Sequence, residues 1–457
     1  NNLQASDGGN LISQSGTTIT LGASGDTVAL ASGASQTGFG RSGSVNWNTT
    51  KITADPANAV SGTGYFCDTS GGAFTVTLPT SPSAGDIVAV SDYTRTWNSN
   101  NLTIGRNSKL IGGIAGDAEL SVNGQSATFV FVDDTEGWIN TQETQTSQTG
   151  FSPYLIASGG NQSPACGIIS GDYKTHIFTG PGTFCVSALS SCAPRNAVDY
   201  VIVAGGGGTG GGGDQQGGGG GGGFRMSNSL GLPAPLNSPL ANPTGHTVPA
   251  ETGYPIAIGA GGACGGGNPG LVTTFDTLTS TGGGFGIYNT PGAAGPGGSG
   301  GGASSPSNSA GNGNDPATPI AQGQPGGPVP SRSGPQYGSG GGGGAAAAGG
   351  GGSPGGAGSG GGGTFIDDNI IGPTAPSYGT PGPTSNTRYF AGGGGGGAEA
   401  GVGCNGGVGG GGKGTCNTGS VTNGTINTGG GAGSGNDSTP CGALGGSGIV
   451  IIRYKYQ

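Results

Sequence analysis

Val198-Asp199-Tyr200-Val201-Ile202-Val203-Ala204-Gly205-Gly206-Gly207-Gly208 is the stretch on which the fold turns, because an apolar β-type run passes there directly into glycine. Glycine tracts then recur as far as Gly445-Gly446-Ser447-Gly448, where Ile449-Val450-Ile451-Ile452-Arg453-Tyr454-Lys455-Tyr456 restores strand character. Of the 115 glycines, 88 fall in residues 201–457, about one residue in three against a usual share of roughly 7%. Such a segment has few side chains to bury and loses the most backbone entropy on ordering. Hydrogen bonds of the main chain must therefore do what a hydrophobic core does elsewhere. The two apolar strands bracket the tracts, and the simplest inference is that they pair, closing the region on its own starting point.

Three conformations compete for the tracts. Collagen needs glycine at every third position, and runs such as Gly217 to Gly223 break that frame. A flexible linker lacks ordered bookends, whereas these tracts are punctuated by proline and apolar residues and closed by a strong strand. The third is a bundle of extended polyproline-II segments, three residues per turn and without internal hydrogen bonds, which approach closely because glycine has no Cβ. The expected fold class is all-β and irregular: β modules followed by a domain of packed polyglycine segments closed by strands.

In such a bundle the interruptions become loops on a rigid scaffold, where recognition usually resides. The main ones are 224–254, 285–296, 304–337, 364–390 and 415–441. Tyr288, Arg332, Tyr337, Phe365, Asp367, Asp368, Tyr378, Arg388, Tyr389 and Phe390 supply most of the aromatic and charged groups of a region otherwise nearly devoid of them. Tyr and Arg are favoured interface anchors, and aromatic rings stack on sugars. The competing reading gives the same side chains to small gaps between glycine layers.

At 457 residues the chain has room for two to four domains, and the rise in glycine near position 204 marks one boundary. Only 8% of residues are charged and the net charge is −9, so no basic stripe exists to displace counterions from phosphate, and nucleic acid is not an expected partner. No apolar run approaches the roughly 20 residues a membrane helix needs, and membrane insertion is not expected. The sequence opens at Asn1 without methionine, as a processed or partial product would. Of the eight cysteines, Cys185 and Cys192 flank six residues, a spacing that would staple a short hairpin; the rest are expected as free thiols.

Before the tracts, residues 1–44 hold short alternating stretches such as Thr18-Ile19-Thr20-Leu21, too thin to bury a face alone. Residues 45–142 form a fuller β module, with period-two patterns at Phe74-Thr75-Val76-Thr77-Leu78, Asp86-Ile87-Val88-Ala89-Val90 and Ala127-Thr128-Phe129-Val130-Phe131-Val132. Residues 143–165 read as a linker, 166–197 as a small β unit, and 198–457 as the glycine-rich domain.

Phe74 to Leu78 with the following Pro79-Thr80-Ser81-Pro82-Ser83-Ala84-Gly85-Asp86, then Asn100 to Asn107, then Phe131-Val132-Asp133 leading to Gly137-Trp138, resemble the β module recurrent in tail fibres of marine tailed bacteriophages. The opening strand, the tracts, Tyr254-Pro255-Ile256-Ala257-Ile258-Gly259 and the closing Gly-Ile-Val-Ile-Ile-Arg-Tyr are similar to the glycine-rich C-terminal domain of phage receptor-binding adhesins. The resemblance implies a homotrimeric virion fibre, extracellular, joined to other tail proteins, whose tip meets a polysaccharide or outer-membrane protein of a bacterial host. It also implies stacked polyglycine helices.

Catalytic chemistry has little to stand on. GxGxxG matches arise by chance in so much glycine, and Gly407 to Gly414 lacks the hydroxyl residue and flanking strand and helix of a phosphate loop. Only His176 and His246 are available as bases, and the Asp133-Asp134 and Asp367-Asp368 pairs read as solvated turns. The expectation is a non-enzymatic adhesin without cofactor or metal. The alternatives are a structural or ice-binding glycine-rich protein, which would carry a flat Thr or Ala array, and, less favoured, a polysaccharide depolymerase.

Overall fold

A computed structural model describes residues 2–4, 10–15, 18–21, 44–142, 154–162, 167–190, 192–212, 216–231, 238–288, 292–306, 308–331, 337–399, 405–415, 420–435 and 442–456. The chain divides into two units, Asn1–Phe151 and Ser152–Gln457. Its fold is all-β and irregular, and helix among the described residues is limited to the α-helical turn Asp368–Ile371 and the short 3₁₀ segments Ala193–Asn196 and Gly372–Ser377.

The first unit keeps its shape with side chains. A five-stranded sheet runs in the order Gly137–Asn140, Ser126–Asp133, Ile87–Asp92, Thr63–Cys67 and Asn46–Ile52, beside a three-stranded sheet of Phe74–Thr77, Leu102–Gly105 and Ala118–Leu120. Period-two patterning points one face of each strand inward: Ala127, Phe129 and Phe131 are buried while Thr128 and Val130 are not. Residues of both sheets join Trp97 and Trp138 in one core. Asp92 fastens the loop beneath it by accepting from the backbone N–H of Arg95 and of Gly124, each at 2.9 Å. The edge strand Asn46–Ile52 stays exposed almost throughout.

In the second unit the two apolar strands that bracket the tracts do pair. Ala197–Val203 and Ile449–Lys455 run antiparallel, from Asp199 opposite Arg453 to Val203 opposite Ile449. Each is buried on both faces, so each has a neighbour on its other side: Phe224–Ser227 beside the first and Tyr173–Phe178 beside the second. One face packs on Phe184, Val248 and Phe275, the other on Phe224, Met226, Ile366 and Phe390. The strand Gly182–Ala188 pairs with Gly253–Ala257 in a second sheet. The described strands of the small β unit expected at 166–197 are thus woven into the sheets that close the glycine region.

Beyond these sheets the tracts bond through the main chain with period three. Gly217, Gly220 and Gly223 donate to the carbonyls of Ile287, Gly284 and Thr281; Gly218 and Gly221 to Gly340 and Gly343; Gly219 and Gly222 to Ala432 and Gly429. One tract thereby serves three neighbours in rotation, as three residues per turn requires. Partner numbers that fall mark an antiparallel neighbour, and partner numbers that rise mark a parallel one. A Cβ on Gly207 would lie 2.0 Å from the carbonyl oxygen of Gly284, and one on Gly220 2.2 Å from that of Ser299. At that spacing only glycine fits.

Candidate functional site

The direction of each tract gives the bundle two ends. From Val203, residues 204–211 run away from the sheets, and 217–223 return to Phe224–Ser227. Tracts 281–287, 391–398 and 429–434 also run outward, while 338–345, 356–363 and 442–448 come back. Six residues at about 3.1 Å each separate the two ends by about 19 Å. The few residues with larger side chains in the tracts mark those ends. Ala204, Ala345 and Ala391 sit at the sheets, whereas Thr209, Ser339, Ala398 and Ser434 sit at the far end, all fully buried.

At the far end a small polar layer seals the bundle beneath its loops. The Gln216 carbonyl accepts from the hydroxyls of Ser339 and Ser434, Thr415 Oγ1 donates to the Ser434 carbonyl at 3.2 Å, and Gln216 Nε2 donates to the Gly212 carbonyl at 2.8 Å. The Ser434 carbonyl also takes the Thr415 N–H at 2.9 Å and the Gln216 carbonyl the Gly397 N–H at 3.5 Å, so the hydroxyls add second bonds to carbonyls at the end of the tracts. Their sequence signal was the single Ser or Thr that interrupts a glycine run, which sequence reasoning passed over.

The expected recognition residues separate between the two ends. Tyr288 and Tyr337 are at the far end and half-buried. The Tyr288 ring lies against Gly212, and the Glu399 N–H donates to the Tyr337 carbonyl at 3.3 Å. Arg332 lies outside the described residues.

Phe365, Asp367, Tyr378, Arg388, Tyr389 and Phe390 belong to the opposite, sheet end. The strands Thr364–Asp367 and Thr387–Phe390 pair, and the helical turn after the first is tied to the main sheet by Thr175 Oγ1 donating to the Ile370 carbonyl at 2.9 Å. Phe390 and Asp367 are buried, the former in the core and the latter capping the helical turn through the Asn369 N–H at 2.7 Å. Tyr389 is also buried and packs 5.5 Å from Phe365 between ring centroids. The Arg388 guanidinium clamps the hairpin turn, donating to the carbonyls of Tyr378 and Gly379 at 2.8 and 2.7 Å. The aromatic and charged groups of this loop therefore hold a hairpin on the sheet, which is the gap-filling alternative.

The cysteines also depart from expectation. Cys185 and Cys192 carry exposed free thiols. The turn between them is clipped by Asn196, whose side chain accepts from the Ser190 N–H at 2.7 Å and donates to the Ser190 carbonyl at 3.1 Å. Cys264, expected as a free thiol, is disulfide-bonded at the far end, its partner outside the described residues. Cys67 is a buried thiol, pushed up to about 12 by desolvation first and by Asp92 second.

Acid–base groups are few. His246 Nε2 meets Asp276 Oδ2 at 2.9 Å, edge-on to Phe275. His176 is fully buried beside Tyr454, with Nδ1 against the Gly159 carbonyl at 2.8 Å, and burial pulls its imidazole down to about 4. Among the described residues no group of three His, Cys, Asp or Glu side chains could hold a metal ion. A cavity of about 170 Å³ at the sheet end is lined by Tyr200, Phe224, Arg225, Met226, Leu240 and Ile320, below the roughly 300 Å³ at which small-molecule sites begin.

The first unit presents an aromatic row that sequence reasoning did not single out. Trp47 stacks on Phe66 at 4.9 Å and Phe66 meets Tyr93 at 6.5 Å, with Lys51 Nζ 5.4 Å over the Tyr93 ring and paired to Asp68 at 2.5 Å. That ion pair raises the lysine and lowers the carboxylate from their ordinary ranges.

Residues 178–455 match the family described as a glycine-rich domain. No curated protein matches the chain.

Proposed function

The chain belongs to this glycine-rich domain family over more than half its length, and from that premise we propose that it is a virion tail-fibre adhesin that attaches to a bacterial surface through the loops at the far end of the glycine bundle. The observation that carries the reading is the two-ended bundle: the sheets and the 364–390 hairpin occupy one end, while tract after tract turns around at the other above a sealed polar layer. Loops on a frame locked by main-chain hydrogen bonds can vary without disturbing it, which is what receptor recognition demands. The resemblance to marine phage fibres supplies the setting: extracellular, homotrimeric, non-enzymatic, with a polysaccharide or outer-membrane protein as receptor. Tyr288 and Tyr337 are the recognition residues kept by this reading, joined by the segment between Val329 and Tyr337 that includes Arg332.

Exchanging residues 329–337 between related fibres and measuring adsorption tests it. Host range should follow the exchanged loop. Unchanged adsorption after all the far-end loops are exchanged would sink the proposal.

One observation favours a second reading, a flat-faced structural or ice-binding protein. Ala257, Ala260 and Ala263 are exposed at every third position, and the neighbouring tracts expose Leu271, Val272 and Leu444. Thermal hysteresis of the purified protein, lost on Ala260→Lys, would establish that reading and remove the first.

A further inference from the structure

Arg453 lies in the middle of the main sheet, opposite Asp199 on the neighbouring strand, and is 6% exposed. Its guanidinium lies over the Tyr173 ring, with Cζ 3.7 Å from the centroid. A guanidinium carries five N–H donors. Nε and Nη1 are buried without a hydrogen-bond acceptor among the described residues. Leaving such donors unanswered in the interior is costly, since a buried polar group without a partner forfeits its hydration.

Arg453 also lines a cavity of about 10 Å³, together with Asp199, Tyr200, Val201, Ser227, Ile370 and Ile451. That volume is about one water-sized sphere. Asp199 is the acceptor at its wall. Its Oδ1 takes the hydroxyls of Ser227 and Ser229 and the Ser229 N–H, each at 2.8 Å, while among the described residues Oδ2 takes only the Leu230 N–H at 3.0 Å, fewer bonds than a carboxylate oxygen can accept.

We infer that this cavity holds a single internal water that accepts from the Arg453 guanidinium and donates to the Asp199 carboxylate. A neutral dipole is the species the charges allow. An anion is repelled by Asp199 and by Asp367, the other carboxylate whose charge acts on Arg453, and a cation by the guanidinium itself. The water thus completes a polar joint through which the helical turn Asp368–Ile371, whose Ile370 forms one wall, is seated on the sheet.

A crystal structure at about 1.5 Å or better reads this directly. The expected result is one ordered peak within about 3 Å of both an Arg453 nitrogen and Asp199 Oδ2. An empty cavity, a halide or metal ion in it, or a direct Arg453–Asp199 ion pair that closes it would each overturn the inference. In solution, the Arg453 Nε–H should show a cross-relaxation contact to a long-lived water, lost in Arg453→Met; its absence in the wild-type protein overturns the inference even if that variant does not fold.

Discussion

The core around Trp97 and Trp138 and the glycine tracts between Gly205 and Gly448 keep two parts of one chain folded by different means. In the first, shape resides in side chains, and the backbone bonds serve to line them up in sheets. In the second, side chains are absent along most of the length and each amide is placed by a carbonyl of a neighbouring tract, in rotation around three neighbours. A side-chain core tolerates a change of size by repacking, at a cost that depends on how well the site collapses. A bundle of bare backbone has nothing to repack, so its tolerance at interior positions is lower and at its open positions complete.

The sharpest way to break that contrast is a single methyl group. Gly220→Ala sets a Cβ 2.2 Å from the Ser299 carbonyl oxygen and should destabilise the second unit by about 5 kcal/mol, because two tracts must part and several amides lose their acceptors. Gly355→Ala, where a Cβ meets nothing within 4 Å, should change the melting curve by less than about 0.5 kcal/mol. Equal melting temperatures for the two variants would refute the main-chain account.

Trp138→Ala is the counterpart in the first unit. Removing this fully buried ring should destabilise that unit by about 4 kcal/mol, and near-ultraviolet circular dichroism should show the transition of the second unit unmoved.

Acid should act on the second unit through His176. Its folded imidazole is held down at about 4 while the unfolded one titrates near 6.5, so the unfolded state binds the proton more readily. Stability is whole above about pH 6.5, falls as pH drops through that window, and is lower by about 3 kcal/mol below about pH 4. His176→Gln should flatten this slope in denaturant titrations at each pH.

The smallest effect concerns the turn that sequence spacing assigned to a disulfide. Asn196→Ala should cost about 1 kcal/mol by removing both bonds to Ser190, while a thiol reagent labels Cys185 and Cys192 in the native protein and leaves Cys67 untouched. Protection of Cys185 and Cys192 from labelling would restore the disulfide.

Much of the frame was legible in residue order. The pairing of Val198 to Val203 with the closing strand followed from their being the two most apolar β segments of the glycine-rich half, and the polyglycine conformation from runs too long for collagen and too well bracketed for a linker. The position of the 364–390 loop at the sheet end was not legible, for a definable reason. Phe365, Arg388, Tyr389 and Phe390 stand out among glycines whether they bind a receptor or fill a hairpin, and composition has no term for which end of the bundle a loop occupies. Tyr288 and Tyr337 share that composition and lie at the other end.

Sequence by itself determined the kinds of segment: alternating strands where period two places a face inward, and bare tracts where a missing Cβ admits main-chain contact from every side. Tertiary structure decided the direction of each tract, its three neighbours and hence the end at which every interruption emerges. Glycine has no side chain to favour one neighbour over another, so that choice falls to the sheets, whose apolar faces accept a single register and send each tract outward or back accordingly.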